Sequence, residues 1–197
     1  SHVELVTPGT WERSAIPGIP PNTNTVLVDI DEYGDEMFLD SSGFTTPSQL
    51  LWGRAGTAVT TIKSAPAFFD ASDIEVDQHF VASADGTRIP YFVVGHRSST
   101  GPGPTLLSGY GGFEVANTPG YAGVLGRLWL ARGGTYVLAN IRGGGEYGPT
   151  WHTQAMREKL RANLKQAGAT NVEVVAGEME AIPLPDESVD VDTRKGV

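Results

Sequence analysis

Hydrophobic and polar residues alternate in short runs through the first third of the chain. Residues 3–6 (VELV), 25–31 (TVLVDID), 36–40 (EMFLD) and 58–62 (AVTTI) are rich in Val, Ile, Leu and Thr and read as strands. Between them lie TPGT, IPGIPPNTN, EYGDE and SSGFTTPS, whose Pro, Gly, Asn and Ser are turn chemistry. Hairpin-length spacing of this kind predicts antiparallel sheet over residues 1–75. From residue 76 the pattern changes. VDQHFVASADGTRIPYFVV gives two alternating strands around Asp85-Gly86, a hairpin signal. PTLLSGYGGF reads as a buried strand running into a glycine turn. Apolar spacing at Val124, Leu125, Leu128, Trp129 and Leu130 predicts a helix ending at Gly133-Gly134, and TYVLANI reads as a second buried strand. Strand, helix, strand in this order predicts a βαβ unit and a parallel sheet.

A third change comes at residue 158. EKLRANLKQAG has Leu160 and Leu164 at i, i+4 and Gly168 as its stop, which predicts an amphipathic helix. NVEVVAGE then reads as a strand, AIPLPDES as a loop and SVDVD as the start of another strand. No internal repeat or low-complexity tract is evident.

Composition narrows the chemistry. With 197 residues and 40% hydrophobic content, the chain can build a core. Gly 25 and Pro 13 favour turns and short strands over a helical bundle. A net charge of −9 argues against nucleic acid as a partner. The absence of Cys excludes disulfides, thiolate zinc sites, Fe–S clusters and a Cys nucleophile. No signal-peptide pattern and no apolar run of spanning length is visible, so a soluble, cytoplasmic protein with no membrane partner is expected.

Candidate chemistry is sparse. G-x-S-x-G, the nucleophile elbow of serine hydrolases, is absent, and Ser108 in LLSGYGG reads as an ordinary strand serine. None of His2, His79, His96 and His152 pairs with another at metal-ligand spacing. His79 and His96 suit surface or edge positions, and His152 suits a packed or solvated helix start near a glycine loop. Asp29, Asp31, Glu32, Asp35 and Glu36 lack the register of a calcium loop and read as a solvated turn. Residues 143–148 (GGGEYG) match G-x-G-x-x-G after a strand, but Pro149 would have to start the helix and no acid-ended strand follows at the expected distance. A tight turn needing positive φ is the competing account.

Several motifs, in order and at matching spacing, resemble the prolyl oligopeptidase family of serine peptidases: DGTRIPYFVV, GPTLLSGYGGFEVANTPGY and YVLANIRGGGEYGPTWH. FLDSSGFTTPSQLLW resembles the last propeller blade of that family, and FFDASDIEVDQHF its crossing into the catalytic domain. The resemblance covers about residues 1–157. It implies a β-propeller capping an α/β-hydrolase domain that cuts proline-containing peptides after proline. It also makes GGGEYG a structural loop. By the match of GYGGF, Tyr110 corresponds to the tyrosine whose hydroxyl helps form the oxyanion hole, and Phe113 to the aromatic lining the proline pocket. In the family the nucleophile, aspartate and histidine all lie downstream of RGGGEYG, and this chain leaves the pattern near Met156-Arg157. No residue here takes those roles, so the chain is expected to be a truncated serine endopeptidase, inactive by itself.

Residues 157–191 (REKLRANLKQAGATNVEVVAGEMEAIPLPDESVDV) resemble the middle of a class I S-adenosylmethionine-dependent methyltransferase of the arsenite type. By that match Glu178 falls at the acidic position near the adenine. The expected organisation is therefore the last part of a β-propeller (1–75), the N-terminal part of an α/β-hydrolase sheet (76–157) and a partial Rossmann-like methyltransferase segment (158–197). The expected class is α/β. A peptidase needs no cofactor, whereas the alternative, a methyltransferase fragment, would take S-adenosylmethionine; a non-catalytic chimeric remnant is the third reading. Incomplete sheets with unpaired edges imply marginal stability or self-association.

Overall fold

The structure is a computed structural model, and it describes residues 3–98 and 101–168. Its strands are β1 (Glu4–Val6), β2 (Arg13–Ala15), β3 (Thr23–Ile30), β4 (Glu36–Gly43), β5 (Gln49–Arg54), β6 (Thr60–Ser64), β7 (Ile74–Ala82), β8 (Arg88–His96), β9 (Thr105–Gly109) and β10 (Thr135–Ala139). Two α-helices are described, α1 (Gly123–Leu128) and α2 (Pro149–Gln166), with a 3₁₀ turn at Leu130–Arg132.

The first half forms an antiparallel meander in the order β3-β4-β5-β6, beside a small β1-β2 pair. The alternation read from the sequence has a direct physical outcome in β4. Every second residue from Met37 to Gly43 is buried, so one face of the strand enters the core while the other does not. Met37 and Leu39 meet Leu51 of β5, with Ile16 and Val59 closing the cluster. The buried hydroxyls of Thr25 and Ser41 satisfy each other at 2.9 Å, which offsets the cost of placing them there. β5 falls at the end of FLDSSGFTTPSQLLW, and SSGFTTPS is less of a turn than its composition suggests, because β4 runs through Gly43.

The second half forms a mixed sheet in the order β7-β8-β10-β9. β7 and β8 pair antiparallel around the Asp85-Gly86 turn, where Gly86 has φ +84°. β9 and β10 pair in parallel across α1, which is the predicted βαβ unit, but β10 pairs antiparallel with β8. The sheet is thus mixed and not wholly parallel. Its core gathers Ile74, Val94, Leu138 and Leu130. Phe44, at the end of the meander's second strand, also lies in this cluster, 5.4 Å from the Phe92 ring. The Ala122 N–H donates to Phe44 O (3.1 Å), and Asn22 Nδ2 donates to Val76 O (2.7 Å), so the two halves share packing and hydrogen bonds.

Three expectations need correction. The strand in PTLLSGYGGF is not buried: β9 is the sheet edge, all five of its residues are exposed, and Leu107 is 69% exposed. An apolar run fixes a strand but not its position in the sheet. The predicted helix is only six residues long, and its apolar Val124 and Leu128 face outward while Gly123 and Gly126 lie inward. A Cβ on Gly126 would collide with the Phe69 ring, so the helix approaches its neighbour through glycine. Finally, Pro149 does start α2, at a position whose N–H no helix bond needs. α2 runs unbroken through residues 157 and 158 and stops before Gly168, at φ +66°. NVEVVAGE, AIPLPDES, SVDVD and Glu178 lie outside the described residues.

Candidate functional site

Gly109 and Ala139 end the two parallel strands in register, so the loops that follow them leave the sheet side by side. The crevice outside the carboxyl ends of parallel strands is where open α/β sheets bind ligands. The first loop carries Tyr110-Gly111-Gly112-Phe113-Glu114, and the second carries Asn140 through Gly148.

Glycine lets these loops interlock. A Cβ on Gly111 would strike Arg142 O, and one on Gly143 would strike Gly111 O. Gly145 is equally tight against Glu114 O. Gly143 also sits at φ +104°, where an L side chain is strained. GGGEYG is therefore a close-packing turn. That favours the backbone account over a nucleotide site, in line with the family resemblance.

The first loop is strained in its own right. Phe113 (φ +53°) and Glu114 (φ +59°) are consecutive non-glycine residues in the left-handed region. Each costs roughly 1–2 kcal/mol there. The Glu114 N–H donates to Gly143 O (3.2 Å), and the Val115 N–H donates to Gly112 O (3.1 Å). Phe113 is 87% exposed and Tyr110 45% exposed, so neither ring serves to fill a core.

A polar network unforeseen in the sequence lies beneath. Glu146 Oε1 accepts from the Asn117 N–H (2.9 Å) and from Asn140 Nδ2 (3.0 Å). Asn140 Nδ2 also donates to Asn117 O (2.7 Å), and Asn117 Nδ2 donates to Tyr110 O (3.1 Å). Asn140 is fully buried. These residues border a cleft of about 520 Å³, walled by Pro90, Phe92 and Tyr147. The only advance signal was an acid set among glycines, which a freely solvated loop does not require.

Two further contacts hold the second loop. Arg142 pairs with Asp85 at 2.5 Å and reaches Ser83 Oγ at 3.3 Å, which ties the loop to the β7–β8 turn. His152 Nδ1 donates to Gly143 O at 2.8 Å, since a carbonyl can only accept. His152 is thus a packed helix-start histidine. His96 Nε2 lies 2.7 Å from Leu130 O and fastens β8 to the 3₁₀ turn, a less exposed role than its strand-end position suggested. His79 lies against Tyr91 on the β7–β8 face. Ser108 stays within β9, opposite Leu138. In the acidic turn, Asp31 accepts from the Tyr33 N–H, while Asp35 and Glu36 pair with Arg54. Among the described residues no group of His, Asp and Glu could hold a metal ion, and no helix is long and apolar enough to cross a membrane.

No protein-family model matches the chain. Sequence relatives and solved structures do. An uncharacterized peptidase of Sinorhizobium fredii is 38% identical over 178 residues, covering 89% of this chain and 24% of that protein. A structure from a study of two prolyl endopeptidases matches with a TM-score of 0.60 and 38% identity, over 76% of this chain and 22% of that one. A post-proline cleaving enzyme from Rickettsia typhi matches with a TM-score of 0.63 and 30% identity, over 77% and 22%. The chain spans about a quarter of the length of these relatives. Nothing in the comparisons supports the methyltransferase expectation for residues 158–197. Sequence relatives and structural neighbours converge on a single family, and they support a likeness of this chain to the prolyl oligopeptidase family of peptidases.

Proposed function

We propose that this chain supplies the oxyanion and proline-pocket side of a proline-specific serine endopeptidase, and that it takes proline-containing peptides. The observation that carries the reading is the loop after β9. Tyr110 and Phe113 are solvent-accessible in the loop at the carboxyl end of a parallel strand, and the backbone at Phe113 and Glu114 is held in a strained left-handed conformation. Strain of this kind persists where surrounding structure over-determines it, and it clusters at functional sites. In this reading the Tyr110 hydroxyl donates to the oxygen that becomes anionic in the tetrahedral intermediate. One such donor is worth about 2.7–4 kcal/mol in transition-state stabilisation. The Phe113 ring offers the proline an apolar wall. The four-stranded meander is read as the last blade of a propeller, and β7 to α2 as the start of the hydrolase domain.

The reading assigns no nucleophile, general base or orienting acid. Residues 1–197 by themselves therefore bind peptide without hydrolysing it, and no cofactor is called for. The S-adenosylmethionine alternative gains no support: Glu178 lies outside the described residues, and peptidase likeness over 89% of the chain exceeds what residues 1–157 could supply. The exposed apolar residues on β9 and on β3 (Val28 57%, Ile30 61%) suit self-association, which sedimentation would reveal as mass rising with concentration.

The deciding experiment is calorimetric titration of the 197-residue chain with a short proline-containing peptide, together with fluorophosphonate labelling. Saturable binding without labelling supports the proposal. No heat of binding at millimolar peptide overturns the binding claim, and covalent labelling overturns the claim of inactivity.

A further inference from the structure

Two neighbouring residues in the left-handed region will not stay there unaided, because their side chains favour relaxed backbone. Something must hold Phe113 and Glu114 in place. The Glu114 N–H itself donates to Gly143 O (3.2 Å), and the contacts on either side of the strained pair run to one carboxylate. Glu146 Oε1 grips the Asn117 N–H at 2.9 Å and Asn140 Nδ2 at 3.0 Å. Asn117 is then fixed at three atoms, since its carbonyl accepts from Asn140 and its own Nδ2 donates to Tyr110 O. The strained segment is thus pinned at Tyr110 before it and at Asn117 after it. Both pins run through the second glycine loop, in a different part of the sequence.

We propose that Glu146 is a positioning residue whose carboxylate clamps Asn117 and Asn140 and so helps keep Phe113 and Glu114, in the loop after β9, in their left-handed form. Glu146 does not touch substrate in this role; it acts through Asn117 on the Tyr110 backbone. The clamp goes beyond the peptidase reading, because it concerns loop conformation whether or not a peptide binds.

The test compares Glu146→Ala, Glu146→Gln and the double variant Glu146→Ala with Glu114→Gly in the full chain. Gln keeps one carbonyl oxygen able to accept both bonds. Gly at 114 adopts φ +59° without a Cβ penalty. Amide hydrogen exchange is read at Asn117 and Val115, with Val94 and Leu138 in the core strands as references. In Glu146→Ala the Asn117 and Val115 amides should exchange about tenfold faster or more, a change equal to about 1.4 kcal/mol. The reference amides should move far less. Glu146→Gln should stay within about threefold of the native chain, and Glu114→Gly should restore much of the Val115 protection lost in Glu146→Ala. Unchanged Asn117 exchange in Glu146→Ala, an equal rise at all four amides, or no recovery in the double variant would each overturn the clamp. Peptide affinity is measured in parallel. If the native chain binds no peptide, the functional proposal fails while the exchange data still decide the clamp.

Discussion

Arg142 lies 2.5 Å from Asp85, although 57 residues separate them, and the pair ties the β7–β8 turn to the second glycine loop. The Asp85 carboxyl is lowered from 3.8 to about 2, first by the Thr87 backbone N–H and then by the Arg142 guanidinium. A carboxylate depressed in the folded state stabilises the fold above its unfolded pKa. That contribution is complete above about pH 4 and is lost as pH falls through about 2. The difference in melting temperature between the native chain and Asp85→Asn should therefore be constant from pH 7 to 5 and shrink between pH 4 and 2. Both groups are partly solvated, so added salt should reduce the difference at neutral pH. A difference that grows on acidification would contradict the assignment.

Gly143 and Gly133 separate two costs that glycine hides. Both have positive φ, +104° and +86°, but a Cβ on Gly133 meets open space, while one on Gly143 meets Gly111 O. Gly133→Ala should lose only the intrinsic left-handed penalty, about 1–2 kcal/mol. Gly143→Ala adds a clash between backbones that cannot separate without breaking the loop contacts, so its loss should be clearly larger. Urea unfolding of the two variants measures the difference. Equal losses would mean that the glycine loops are not interlocked.

Phe44 offers a test of the junction between the two sheets. It is 4% exposed, lies in the second core and packs against Phe92 and Tyr136. Phe44→Ala should cost about 3–5 kcal/mol, as other large buried aromatics do. Because the ring joins the meander to the mixed sheet, calorimetry of Phe44→Ala should also show unfolding that is broader than in the native chain, or split. Leu107→Ala, at an exposed edge position, should change stability by no more than about 0.5 kcal/mol.

These contrasts show where sequence reading reaches its limit. The Asp85-Gly86 hairpin and the β9-α1-β10 crossover were legible because turn chemistry and hydrophobic period are local signals. The exposure of Leu106 and Leu107 was not, because it depends on which strand lies alongside, and β9 has a partner on one side only. Tyr110 and Phe113 were found through resemblance, since nothing in their spacing distinguishes a site loop from a packing loop. Asn117, Asn140 and Glu146 escaped notice for a geometric reason. They meet only once parallel pairing brings Gly109 and Ala139 into register.

Phe113 gives the sharpest separation of binding from stability. Its ring is 87% exposed, so Phe113→Ala removes almost no buried area and should leave unfolding free energy within about 0.5 kcal/mol of native. If the ring walls a proline pocket, the same change should weaken binding of a proline-containing peptide about tenfold, or about 1.4 kcal/mol. Phe113→Gly sharpens the comparison. It removes the same ring but also relieves the φ of +53°, so it should be at least as stable as Phe113→Ala and bind just as poorly. Affinity lost in both variants without lost stability can come only from the missing ring. Affinity retained in both would leave Phe113 as an exposed loop residue and remove the main support for a proline pocket at this strand end.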